Sequence, residues 1–237
     1  MTDYEYEIIN SKYGKIAVPT GYGWRHSNGL VDNVQKKGIY EPQTVNFIKN
    51  NINNKSIVHC GAAFGDMLPA FSQFTEKTVY AYEANPLAAF CARKTIDINQ
   101  LHNVNLTEIG LGDKETKVDF IYEYENGMAL AGGSRFVDSK VPKKWDPKVR
   151  WKNAKTLKIQ IKKLDDILND EISIIHLDVE GYETKVLEGA MNLIQTWNPI
   201  LILEEVDARD EMMRNNILPL GYKLINTLNR NTIWKIS

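Results

Sequence analysis

Cysteine is scarce in this chain: two in 237 residues, Cys60 and Cys91. Neither stands in a Cys-x-x-Cys or Cys/His ligand spacing, so there is no disulfide framework and no structural zinc site to read. That absence favours a reducing compartment. Cys60 falls inside an apolar run and reads as a small buried hydrophobe. Long apolar runs are missing too, and none is long enough to cross a bilayer. The first ten residues are acidic and lack the charged-then-apolar pattern of a signal peptide, so a cytoplasmic location is the default expectation, with no membrane insertion. Excess charge of one sign is also absent. With 29 Lys and Arg against 30 Asp and Glu, the net charge is −1, which gives no long-range pull on a polyanion and sets nucleic acid aside as the expected partner. Repeats and low-complexity linkers are absent.

What remains is an ordinary globular composition, 43% hydrophobic and 25% charged, on a length that suits one large domain. The first part, residues 1–55, is mixed and reads as an N-terminal extension packing on a core. It carries turn signals at Thr20 to Trp24 and Asn28-Gly29 and a helix over Glu41 to Asn51. From Ser56 the pattern becomes regular. Ser56 to Cys60, Thr78 to Tyr82 and Asn105 to Ile109 read as strands, separated by helices over Asp66 to Phe74 and Pro86 to Asn99. Strands alternating with helices imply an α/β fold with a parallel sheet covered on both faces.

Residues 117–162 interrupt that rhythm. Lys117 to Tyr124 and Leu157 to Ile161 alternate like strands, and the stretch between them is irregular. A loop of this length inside a compact domain is usually functional or disordered. Its Trp145 and Trp151 offer faces on which a sugar ring can stack, and Arg135, Lys143, Lys144 and Arg150 can meet anionic groups; a solvated loop is the bland alternative. Trp24-Arg25-His26 is a weaker acceptor candidate. The parallel pattern then resumes with a strand over Ser173 to Val179, a helix over Tyr182 to Trp197, a strand over Pro199 to Val206 and a helix over Asp207 to Ile217. The chain closes with Tyr222 to Thr227 and Thr232 to Ile236 around Asn229-Arg230-Asn231, a β-hairpin.

Three motifs lie at strand ends, where open α/β sheets bind ligands. His59-Cys60-Gly61-Ala62-Ala63-Phe64-Gly65-Asp66 runs from a strand through a small-residue turn into a helix, which lets a ligand approach the backbone. Its glycines are spaced Gly-x-x-x-Gly, short of the dinucleotide fingerprint. Glu83, followed by Ala84, ends the second strand, where a carboxylate can accept both hydroxyls of a ribose. Gly112-Asp113 follows the third strand, and Asp113 can accept from an adenine amino group or simply serve a turn.

The fourth strand is the most distinctive. His176-Leu177-Asp178-Val179-Glu180-Gly181-Tyr182-Glu183 places three carboxylates at one strand end, and buried carboxylates are costly unless paired or used. Alternation puts His176 and Asp178 on one face. Asp178 and Glu180 are candidate bases, with His176 behind them, and Glu205 at the end of the next strand is in reach by position. Asp178 and Glu180 offer the hard oxygens a divalent cation prefers, but a full ligand set is not legible and no metal is assigned. A purely structural use, with Glu183 at a helix start and Asp178 bonded to loop backbone, stays open.

These segments, in this order and with the Asp-x-Glu-Gly-x-Glu run followed by Leu187-Glu188-Gly189-Ala190, resemble the FkbM-type methyltransferase family over roughly Glu41 to Val206. The resemblance implies a Rossmann-like class I methyltransferase fold, with a mostly parallel seven-stranded sheet ending in an antiparallel hairpin and an inserted loop and strand region. It implies methyl transfer from S-adenosylmethionine to oxygen, often on sugars or other small metabolites. Gly61, Ala63, Gly65 and Asp66 would border the methionine part of that cofactor, with His59 and Phe64 beside them. Glu83 would hold the ribose and Asp113 the adenine. The family usually carries aspartate at the position of His59 and asparagine at that of Ala63. A nicotinamide-dependent oxidoreductase and a non-catalytic scaffold remain the rival readings. The acceptor expected is a small molecule or glycan; the oligomeric state is not legible.

Overall fold

The computed structural model describes residues 4–20, 29–123, 133–140 and 153–236. Trp24, Arg25, His26, Lys143, Lys144, Trp145, Arg150 and Trp151 lie outside them.

Five short apolar strands build the centre: β3 (Ser56–Cys60), β4 (Val79–Tyr82), β5 (Val104–Thr107), β10 (Ile172–Leu177) and β11 (Ile200–Glu204). All five run parallel, and the hairpin of β12 (Tyr222–Leu228) and β13 (Asn231–Ile236) closes one edge antiparallel. The order across the seven-stranded sheet is β12-β13-β11-β10-β3-β4-β5. Every residue of β3, β10 and β11 is buried, as expected where helices cover both faces of a parallel sheet. The chain leaves β3 toward β4 and β5 on one side and returns through β10 and β11 on the other. The crevice between the carboxyl ends of β3 and β10 is therefore the topological switch point, the place where such sheets hold ligands.

The inserted region does not extend this sheet. β6 (Gly110–Leu111), β7 (Thr116–Glu123), β8 (Arg135–Phe136) and β9 (Lys155–Lys162) form a second sheet of order β6-β9-β7-β8. Its Phe120, Phe136, Ile159 and Ile161 pack with Tyr182 into a small apolar cluster. The N-terminal part is an antiparallel hairpin of β1 (Tyr6–Asn10) and β2 (Lys15–Pro19), followed by helices α1 (Leu30–Lys37) and α2 (Pro42–Asn51). Neither the hairpin nor α1 is legible in the sequence pattern. β2 is anchored to the long helix α4 (Pro86–Asn99), where the backbone N–H of Ala17 donates to Thr95 Oγ1 at 2.9 Å and that of Lys15 to Asn99 Oδ1 at 2.8 Å.

Two expected helices differ. Tyr182 to Trp197 is two pieces, Glu183–Glu188 and Met191–Trp197. The break falls at Gly189, where a Cβ would lie 1.9 Å from the Gly112 carbonyl oxygen. Backbone of the second sheet fills that space, and the Asp165 carboxylate caps the second piece by accepting from Asn192 and Leu193. Residues Met213–Ile217 form a π-helical turn that runs into a 3₁₀ turn, Leu218–Leu220. Among the described residues, no helix is long and apolar enough to cross a membrane.

Candidate active site

The carboxyl ends of β3 and β10 are joined backbone to backbone. The Asp178 N–H donates to the Cys60 carbonyl at 3.0 Å, and Gly61, at φ +83°, brings its Cα against the Asp178 carbonyl, where a Cβ would sit at 1.7 Å. This crossing forms the floor of a cavity of about 530 Å³. His59, Gly61, Ala63, Phe64, Asp66, Glu83, Ala84, Asp178 and Glu180 all line it, so most of the sequence-derived site residues converge. The size suits a drug-sized ligand.

Glu83, buried at the end of β4, uses its two oxygens separately. Oε2 accepts from the Ala63 N–H and Oε1 from the Asn85 N–H, each at 2.7 Å. The carboxylate thus ties the glycine turn, with Ala63 in left-handed backbone at φ +46°, to the start of α4. Burial pushes the Glu83 carboxyl up to about 7, against the pull of those backbone N–H groups. A carboxylate offers about four lone-pair directions, so room remains for a further donor. Asn85 caps α4 and donates to Ser134 Oγ at 2.8 Å, fastening the insertion to the same corner. Asp66 is buried with Oδ2 unpartnered among the described residues, and burial pushes it up to about 7. A cationic or N–H donor would satisfy it.

The loop after β10 is folded by its own acid. Glu183 Oε1 accepts from the N–H groups of Val179 at 3.0 Å and Gly181 at 3.3 Å. Glu183 is therefore a loop brace, and Asp178 and Glu180 are left to face the cavity. Glu180, at φ +54°, is held by Arg135 Nη2 at 2.8 Å. Asp178, Glu180 and Glu204 bring carboxylate oxygens within 4.8 Å of one another. Two guanidinium groups answer this charge: Arg135 on Glu180, and Arg230, from the β12–β13 turn, on Glu204 at 2.8 Å. Burial first, then the Glu204 charge, raises the Asp178 carboxyl well above the usual carboxylate range.

Five expected residues are placed elsewhere. His176 is fully buried; its Nδ1 meets Nδ1 of His59 at 3.0 Å with the rings stacked, and it does not line the cavity. β10 ends at Leu177, so the alternation used to pair His176 with Asp178 stops one residue short. Glu205 turns outward with its side chain 57% exposed and pairs with Arg230 Nε at 2.9 Å; its neighbour Glu204 faces the cavity instead. Asp113 lies off the cavity wall, because Gly110–Leu111 has joined the second sheet and carries the chain away. Gly65 shapes the turn without lining the cavity. Arg135 acts through Glu180. The sequence reading missed Glu204, Arg230, Tyr40, Phe120 and Phe136, which also line the cavity. Of these, Glu204 and Arg230 carried a signal, an acid at a strand end and a cation at a hairpin turn.

Comparison with known proteins bears on the family and the fold. The family model described as the methyltransferase FkbM domain matches residues 59–224. No curated protein matches the chain. Among solved structures, the methyltransferase FkbM from Methylobacillus flagellatus KT is similar, with a TM-score of 0.51 and 20% identity over 77% of this chain and 43% of that one. The Trm5b protein from Pyrococcus abyssi shares the fold with a TM-score of 0.51 and 10% identity, over 100% of this chain and 57% of that one. The chain thus spans less than two thirds of the length of either.

Proposed function

The chain belongs to the FkbM methyltransferase family, and from that premise we propose that it transfers the methyl group of S-adenosylmethionine to a hydroxyl oxygen of a sugar, glycan or other small hydroxylated molecule. Family membership implies the cofactor and removes the nicotinamide alternative. The observation that carries the reading is one continuous cavity lined by Glu83, by Gly61 and Asp178 at the backbone crossing, and by Glu180 and Glu204.

Bound there, S-adenosylmethionine supplies an electrophilic methyl group on a sulfonium. Gly61, Ala63, Phe64 and Asp66 would border its methionine part, with the unpartnered Asp66 oxygen suited to the ammonium group. Glu83 would accept from the ribose hydroxyls. Ala84, Leu111, Phe120 and Phe136 would enclose the adenine in place of Asp113. His59, in the aspartate position of the family, is neutral, since burial and His176 lower its proton affinity. It can orient a polar group but brings no charge. A hydroxyl is a poor nucleophile and must lose its proton, so a carboxylate within reach is worth about 10²–10⁴-fold. One end of the cavity gathers three, Asp178, Glu180 and Glu204, the last two of them paired with arginine.

The net charge of −1 supports a small-molecule acceptor over nucleic acid. That Glu7, Ile9, Leu30 and Tyr40 line the cavity supports reading 1–55 as an extension that closes it. On this reading the methyltransferase domain is 56–237, with its insertion at about 117–162.

A labelled-methyl assay over hydroxylated glycans and small polyols tests the proposal, alongside titration with S-adenosylhomocysteine. Tight binding and label on an ether oxygen are expected, with loss of labelling in Asp178→Ala. Binding without transfer to any hydroxyl would favour the non-catalytic scaffold; label on nitrogen would overturn the oxygen assignment.

A further inference from the structure

Glu204 ends β11, Asp178 directly follows the adjacent parallel strand β10, and both line the cavity. Their carboxylates bring oxygens within 4.8 Å of each other at the cavity wall, where two full negative charges repel. Like charges this close raise the proton affinity of the pair, so that it takes up its first proton well before its second. The surroundings are asymmetric. Arg230 Nη1 lies 2.8 Å from Glu204 Oε1, whereas no cation among the described residues pairs with Asp178. Glu180, on the same loop as Asp178, is taken by Arg135. The other titratable groups facing Asp178 come from the N-terminal extension, Tyr40 and Glu41. Glu41 adds negative charge, and Tyr40 is kept in its neutral form by burial. The acidic neighbours therefore favour a proton on Asp178, and Arg230, paired with Glu204, favours the negative charge of the pair there.

We propose that Asp178 and Glu204 form one proton-sharing carboxylate pair in which Arg230 keeps Glu204 negative, and that Glu204 thereby tunes Asp178 as the group that takes the proton from the acceptor hydroxyl. This rests on the methyl-transfer reading above. Glu204 and Arg230 are positioning residues: they act on Asp178. When Asp178 is ionised, the hydroxyl proton passes to its carboxylate as the oxygen–carbon bond forms. The carbon–sulfur bond breaks with its electron pair left on sulfur, giving a methyl ether, the neutral thioether and a protonated Asp178. A base whose proton affinity is lifted toward the working pH is a more effective acceptor than an ordinary aspartate.

The pair can be tested without cofactor. Carboxyl-carbon NMR of 13C-aspartate-labelled protein, assigned with Asp178→Asn, is expected to show Asp178 titrating above the usual carboxylate range. The isosteric Glu204→Gln variant is expected to move it down by at least one pH unit, and Arg230→Gln to move it up. In the loaded enzyme, the acid limb of kcat/KM is expected to shift in the same directions. Opposite shifts from two neighbouring variants are not what general damage produces. Ordinary titration of Asp178 in a protein that methylates overturns the pair. Titration that moves while the acid limb stays put overturns its use as the proton acceptor. A pair that titrates as described in a protein transferring no methyl group overturns the methyl-transfer reading instead, and the proton-acceptor half with it.

Discussion

The Asp178 carbonyl oxygen occupies the space a Cβ on Gly61 would need, 1.7 Å from its ideal position. The floor of the cavity is therefore two backbones in contact, and no side chain can be inserted between them. Gly61→Ala meets both a clash with backbone and a left-handed φ of +83°. The expected cost is about 2–5 kcal/mol, combining overpacking with backbone strain. Urea unfolding checks it, and a loss under 1 kcal/mol would mean the crossing is loose.

Glu83 and Glu183 look alike in sequence and should respond differently to amidation. Glu83 receives one backbone N–H on each oxygen, so Glu83→Gln turns an NH₂ group toward a backbone donor. A cost of about 1–3 kcal/mol is expected, with a matching loss in S-adenosylhomocysteine affinity. Glu183 receives both donors on Oε1, which glutamine retains, so Glu183→Gln should stay near wild type while Glu183→Ala does not. Thermal unfolding and calorimetry of the three variants would reverse this account if the two glutamine variants behaved the same.

Cofactor affinity should depend on pH through Glu83. Its carboxyl is pushed up to about 7, so without ligand the folded chain holds a proton that the unfolded chain gives up between the ordinary glutamate value and 7. That contribution to stability is present at low pH and is lost as pH rises through 7. Ribose hydroxyls donate to the ionised form. Affinity for S-adenosylhomocysteine should then fall by about tenfold per pH unit below 7 and level off above it. Calorimetry from pH 5.5 to 8 reads the slope, and a flat profile would separate an ionised Glu83 from binding.

The buried histidines predict an opposite trend. His176, inside the core, is lowered to about 4 by burial, and His59 is lowered as well. Both are neutral in the folded chain and take protons when it unfolds. Their contribution is present above the ordinary histidine value and is lost as pH falls through the folded value. For His176 this amounts to about 3 kcal/mol between pH 6.5 and 4. His176→Leu should show a shallower loss of stability over that window, measured by urea unfolding at several pH values. The carboxylates titrate in both proteins, so the difference between the two curves reports the histidine pair, because His176 also lowers His59.

Residue pattern alone was enough for the parallel core. Runs such as Ser56 to Cys60 and Ile200 to Glu204 are apolar throughout because helices cover both sides, and the small residues after β3 and the acid after β4 mark where a ligand can approach. The Asp-x-Glu-Gly-x-Glu run was visible as an acidic strand end, but its division of labour was not. Whether Asp178 faces the cavity depends on β10 ending at Leu177, and whether Glu204 or Glu205 does depends on β11 ending at Glu204. Two-residue periodicity holds only inside a strand, and the pattern does not locate its last residue to within one.

Local order is written in the chain because helix, strand and turn preferences act over a few neighbouring residues. Glu83 at its strand end and Gly61 in its turn follow from such preferences. What Arg230, Arg135 and the N-terminal hairpin do was decided only by the tertiary structure. Arg230 and the hairpin line the cavity and Arg135 reaches Glu180 at its wall, each from a distant part of the chain, and charge pairing across 26 or 45 residues leaves no periodic trace in sequence.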